Sequence, residues 1–126
     1  NRSDAITIAN AISGTGNLTQ AGQNTATFTG TNSYVNTTIN SGATLQIGNA
    51  GTVGTLGTGT VTDNGTLILN RSDAITIANA ISGTGNLTQA GQNTATFTGT
   101  NSYVNTTINS GATLQIGNAG TVGTLG

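Results

Sequence analysis

Apolar and polar residues alternate along this chain in short bursts that glycines separate. In Asp4–Ile12 (DAITIANAI), Ile6 and Ile8 alternate with Thr7 and Ala9, the period-two pattern of a half-buried strand. Gly14 and Gly16 punctuate a turn, Leu18 opens the next burst (LTQAG), and Gly22 ends it. In Asn24–Thr31, Ala26 and Phe28 fall on one face, and Thr25, Thr27 and Thr29 on the other. A turn at Gly30–Ser33 leads to Tyr34-Val35. The pattern then restarts, with Ile39 in the role of Leu18, Gly42 in that of Gly22, and Leu45/Ile47 in that of Ala26/Phe28. After the glycine-rich GNAGTVGTLGTG, which carries Val53 and Leu56, a third restart supplies Val61, Gly65 and Leu67/Leu69. The fourth is Leu87, Gly91 and Ala95/Phe97, and the fifth is Ile108, Gly111 and Leu114/Ile116.

Residues 1–57 recur without change as residues 70–126, a shift of 69. Self-similarity at a fixed period marks a stacked array whose units complete one another's core. Between Leu18, Ile39, Val61, Leu87 and Ile108 the spacings are 21, 22, 26 and 21 residues. We therefore expect three turns in each 69-residue period, about 23 residues per turn, and about five turns in the chain. A coil of that length suits three short strands, each pairing in parallel with its equivalent one rung away, roughly 4.8 Å along the axis. The fold class expected is all-β, a right-handed parallel β-solenoid, because parallel crossovers are right-handed. Residues 1–126 are expected to form one continuous solenoid domain, with repeat 1 over 1–69 and an incomplete repeat 2 over 70–126, and the expected context is a longer array. The expected core is Ile6, Ile8, Ile12, Leu18, Ala26, Phe28, Ile39, Leu45, Ile47, Val61, Leu67 and Leu69, with their equivalents 69 residues on. Gly22, Gly42 and Gly65 are candidates for corners that need positive φ.

Composition narrows the picture. The chain has 20 Gly, 28 Thr and 17 Asn, with an apolar fraction of 33%. A globule with so few apolar residues struggles to close one core, whereas a solenoid buries the same narrow strip on every rung. Arg2, Arg71, Asp4, Asp63 and Asp73 are the only charged side chains. Two arginines cannot neutralise a phosphate track, so no nucleic-acid partner is expected. No apolar run reaches the length of a membrane-spanning helix. The absence of Cys removes disulfides and zinc–thiolate sites.

The ordered residues Gly14-Thr15-Gly16-Asn17-Leu18, Gly22, Gly30-Thr31-Asn32-Ser33-Tyr34 and Thr38-Ile39-Asn40-Ser41-Gly42-Ala43-Thr44-Leu45 form a recognisable motif. It recurs as Gly83 to Leu87, Gly91, Gly99 to Tyr103 and Thr107 to Leu114. The motif resembles the autotransporter-associated β-strand repeat, also called the passenger-associated transport repeat. The chain departs from that family at Gln20, where a basic residue is common, at Gly22-Gln23-Asn24, and at Val35-Asn36 after the tyrosine. The resemblance implies a passenger segment of a Gram-negative type V secretion protein, exported and displayed on the bacterial cell surface as a stalk and an aid to secretion. It carries no catalytic residues over to this chain.

Chemistry is sparse. Carbohydrate-cleaving β-helices need clustered carboxylates, and three scattered aspartates do not supply a cluster. Asp4 and Asp73 lie two residues from Arg2 and Arg71, the spacing of a weak exposed ion pair. Serine without His or Lys has no base. We expect no catalytic residue, cofactor, metal site or small-molecule substrate, and hence no enzyme. Asn17-Leu18-Thr19, Asn36-Thr37-Thr38 and Asn64-Gly65-Thr66 fit the N-glycosylation pattern, which an Asn/Thr-rich chain meets by chance. An outward row such as Thr25, Thr27, Thr29 invites an ice-binding reading, but Gln46 and Ile68 break it on following rungs. The expected role is a stalk or fibre segment that spaces functional domains from the cell and aids secretion. Its partners are neighbouring repeats or further copies end to end. The alternatives are a self-assembling extracellular fibre subunit, or an adhesive module gripping a host or cell-surface glycan.

Overall fold

The glycine-bounded bursts of alternating residues become short strands in the computed structural model, which describes residues 1–126. They are β1 (Ile6–Ile8), β2 (Leu18–Gln20), β3 (Thr25–Phe28), β4 (Thr37–Ile39), β5 (Thr44–Gly51), β6 (Val61–Asp63), β7 (Thr66–Arg71), β8 (Ile75–Ile77), β9 (Ile81–Ser82), β10 (Asn86–Gln89), β11 (Thr94–Phe97), β12 (Asn105–Ile108) and β13 (Thr113–Ile116). No helix interrupts them. Every strand pair is parallel, so the fold is a parallel β-solenoid. Its sides are three sheets. The first runs β1-β3-β5-β7-β10-β12, the second β2-β4-β6-β9, and the third β8-β11-β13.

Apolar residues stack on apolar residues along the inner wall. Ala26 pairs with Leu45 and Phe28 with Ile47, and these in turn with Leu67 and Leu69. Leu45, Leu67 and Leu69 are fully buried in one continuous cluster. Each such side chain is worth roughly 2 kcal/mol of hydrophobic burial. Just before these inward residues, Thr25, Thr44 and Thr66 stand in register on the outer wall.

The turn count differs from the expected five. The first sheet holds six strands, one per turn. Its register steps from Ile6 to Ala26, Leu45, Leu67, Leu87 and Thr106. Turns are therefore 19 to 22 residues on this side, close to 20, rather than 23. Three turns carry the chain from Ile6 to Leu67. The remaining eight residues of the 69-residue period carry it on to Ile75, in the third sheet. One period thus spans three turns plus one side of the coil. Leu87 stacks on Leu67 in the first sheet, whereas its sequence twin Leu18 lies in the second. The stacking register also differs by two residues from the expected equivalence of Leu18 and Ile39. Leu18 pairs with Thr37, which places Ile39 between Gln20 and Asp63.

Burial corrects the expected core at its edges. Ile6, Ile8, Ile12 and Leu18 pack against the cluster but are only partly buried, as are Ile75 and Leu114. Ile108 and Ile116, equivalents of Ile39 and Ile47, are exposed because no rung of this chain covers them. Tyr34, Tyr103, Ala43 and Leu56 join the core instead. Gly42 does have positive φ, at 79°. Gly22 and Gly65 do not; they are required for space. A Cβ on Gly22 would strike the Arg2 carbonyl, and one on Gly65 the Ala43 and Asn40 carbonyls.

Two residues with identical sequence neighbours test the stacking. Ile39 is 0% exposed and Ile108 is 51% exposed. Ile39→Ala should cost about 2–5 kcal/mol and Ile108→Ala about 0.5 kcal/mol or less. Urea-unfolding midpoints of the two variants give the comparison, and equal midpoints would contradict this stacking.

Candidate functional site

Polar side chains reach the interior at the corners, where the period-two alternation of a strand runs into a turn. In β2 and β10 the residue two places after the leucine is Gln20 or Gln89, so it points inward. Gln20 Nε2 donates to Asn24 Oδ1 at 2.8 Å and, one rung up, to the Thr44 carbonyl at 3.2 Å. Gln89 repeats this with Asn93 and Thr113. Asn32 ties three successive turns. Its Oδ1 accepts from the Ile12 amide at 2.9 Å and its Nδ2 donates to the Thr55 carbonyl at 2.7 Å. Asn101 does the same between Ile81 and Thr124.

The third polar corner is chemically different. Asp63 ends β6, over Ile39, and is 0% exposed. Its Oδ1 accepts from the Gly65 amide at 3.0 Å, and its Oδ2 has no partner. No cation neutralises it. Burial pushes its carboxyl up to about 6, against the smaller opposing effect of the Gly65 and Leu67 amides. In the sequence Asp63 is one of three scattered acids with nothing to set it apart from Asp4 and Asp73. The signal that places it inside is its spacing, two residues after inward Val61, as Gln20 is after Leu18.

The two ion pairs, equal in sequence, are unequal in space. Arg2–Asp4 is exposed, as expected. Arg71 is only 12% exposed at the side chain. Besides Asp73, it donates to the carbonyls of Gly54 at 2.8 Å and Thr52 at 2.6 Å, latching the loop over residues 52–60 to the next turn. Asp4 and Asp73 are both held below the usual carboxylate range by hydrogen bonds from their arginines. Beside this latch, Leu56, Ile75 and Ile77 line a cleft of about 300 Å³. Asn79 closes its far end by donating to the Gly57 and Gly59 carbonyls. The polar groups of Arg71 and Asn79 are turned onto the protein's own backbone, not toward a ligand.

The structure brings no group of three His, Cys, Asp or Glu together. Asn17 and Asn36 of the glycosylation-like triplets bond each other, Asn36 Nδ2 donating to Asn17 Oδ1 at 3.0 Å. The third, Asn64, accepts from Thr84. The outward Thr27 is followed in register by Gln46 and Ile68, so the threonine row is broken as expected.

Asp63 sets a pH dependence. Its folded pKa, about 6, lies above the reference value of 3.8. Its protonated form therefore favours the fold fully below about pH 4, and that contribution is lost as pH rises through 6. The difference is worth ~3 kcal/mol. Asp4 and Asp73 act in the opposite sense, but only below their usual carboxylate range. Thermal melts should therefore show greatest stability near pH 4 and a decline toward pH 6. Asp63→Asn should flatten that decline and raise the melting temperature at pH 7; an unchanged profile would contradict the burial of an unpaired carboxylate.

No family model, no curated protein and no solved structure matches this chain.

Proposed function

We propose that this chain is a structural repeat segment of a secreted or cell-surface bacterial protein, a stalk or fibre that spaces functional parts from the cell and aids its secretion. The observation that carries the reading is the folding of identical sequence on two different sides of the coil. Ile6 pairs with Ala26 in the first sheet, and Ile75 pairs with Ala95 in the third, in the same register. Each unit contacts only its neighbours, so length can change by whole units without altering the rest. Each unit also turns its outer face one side further round the coil. A partner approaching from one direction meets a different face of each successive unit, which suits a spacer better than an aligned row of binding sites. The near absence of charge leaves little to steer a specific ligand.

Tandem arrays of increasing unit number test this. One unit spans three turns and one further side, so each should lengthen the particle by ~16 Å at the usual strand spacing, read by small-angle scattering or electron microscopy. On cells, removing whole units should shorten reach and leave adhesion by distal parts intact. Saturable binding of a glycan or host cell by the isolated array, or hydrolysis of a polysaccharide, would overturn the spacer reading in favour of an adhesive or catalytic one.

A further inference from the structure

The turn between β6 and β7 holds the only Asn-Gly pair in the sequence, Asn64-Gly65. Glycine leaves its amide nitrogen unshielded by a Cβ, so that nitrogen can reach the side-chain carbonyl carbon of the asparagine before it and close a five-membered ring. Both reacting groups are held by specific partners here. The Gly65 N–H, the nucleophile, donates to Asp63 Oδ1 at 3.0 Å. Asn64 Oδ1, on the electrophile, accepts from the Thr84 amide at 3.2 Å and from Thr84 Oγ1 at 3.3 Å, both from the next turn. A carboxylate stands on the proton to be removed, and two donors stand where negative charge would develop.

We propose that Asn64 is a self-modification site, converted by its own fold to a succinimide and then to aspartate or isoaspartate. The Gly65 nitrogen forms a bond to Asn64 Cγ while its proton passes to Asp63. The Asn64 oxygen takes the displaced electron pair, stabilised by Thr84. Collapse of that intermediate breaks the Cγ–Nδ2 bond. The leaving nitrogen takes the proton back from Asp63 and departs as ammonia. Water then opens the ring at either carbonyl, giving aspartate or, with the backbone rerouted through the side chain, isoaspartate. No oxidant, metal or cofactor enters the balance.

Asp63 is the one titratable group in this corner. Against it lie Ile39 from β4, Gly83 after β9, Gly85, and its own turn, none of them charged. The other four charged side chains are paired with each other elsewhere. The consequence is local. An isoaspartate lengthens the backbone between Val61, which stacks on Ile81, and Leu67, which stacks on Leu87. The Ala43 and Asn40 carbonyls crowd Gly65, so the extra length has nowhere to go inside the turn. Each conversion should loosen one corner per 69-residue unit.

The test follows the purified full chain at neutral pH, with the peptide around Asn64 analysed by mass spectrometry that separates aspartate from isoaspartate. The expected result is that Asn64 converts faster than the other asparagines, and faster in the folded chain than in urea. Asp63→Asn should slow it about a hundredfold. Thr84→Val, which keeps the amide donor, should slow it by a smaller factor. In the native chain the rate should rise as Asp63 ionises near pH 6 and then level off. Slower conversion in the folded chain than in urea would overturn the proposal. So would an undiminished rate in Asp63→Asn that keeps its circular dichroism. Should that variant fail to fold, the pH profile of the native chain decides, and a rate that keeps climbing with hydroxide, with no plateau, also overturns it.

Discussion

In-register stacking of one turn on the next is the interaction on which the rest of this structure depends. A three- or four-residue strand presents two inward side chains, too few to exclude water alone. The core exists only where another turn covers it. Ile39 and Ile108 have the same sequence on either side, yet one is enclosed and the other exposed. Backbone groups follow the same rule. Thr29 donates to Ile8, Thr44 to Asn24 and Thr66 to Ala43, one turn back along the chain, while Leu18, Thr37 and Val61 donate one turn forward, to Asn36, Thr60 and Ala80. Local propensity suits these residues to a pleated surface, but the neighbouring turn decides whether each is buried.

A second constraint is that the coil and the sequence do not share a period. Turn length is set by three short strands and the corners between them, while the sequence repeats every 69 residues. The mismatch moves each unit on by one side. Every strand of the unit must therefore fit more than one side of the coil. Ile, Leu, Val, Phe and Ala inside, with Thr and Asn outside, satisfy that demand because nothing in them depends on a particular sheet. Local pairing survives the rotation unchanged, as Leu18 with Thr37 and Leu87 with Thr106 show. Uniformity of sequence here reflects interchangeability of sides as well as of units.

The strand class and the Ala26/Phe28, Leu45/Ile47, Leu67/Leu69 stack were legible in the sequence, because an apolar pair flanked by threonines has one plausible orientation. The turn count was not, because matching apolar residue to apolar residue aligned Leu18 with Ile39. The structure instead sets Gln20 below Ile39 and Asp63 above it. A glutamine and an aspartate read as surface until their spacing from Leu18 and Val61 is taken seriously. The latch at Arg71 was equally hidden. Its pairing with Asp73 follows from the sequence, but its bonds to Thr52 and Gly54 require the preceding loop to fold beneath it.

Buried polar groups do different work at different corners. Gln20 and Asn32 bond across turns, so a slip of register would strand their amides without partners, a cost of about 1–3 kcal/mol for each group. They specify which residue sits on which, something leucines alone leave open. Asp63 offers no such cross-turn bond from its free oxygen and carries an uncompensated charge at neutral pH. It is thus a weak corner, the one place where an unpartnered buried oxygen belongs to an ionisable group; the other unpartnered buried oxygen is the neutral Gln89 Oε1. A globular domain would feel such a defect throughout its core, since every core residue there touches many others. In a solenoid the effect stops within a turn or two, because each turn leans only on its neighbours. The architecture that makes the turns nearly independent also allows a corner with a buried, unpaired carboxylate to persist.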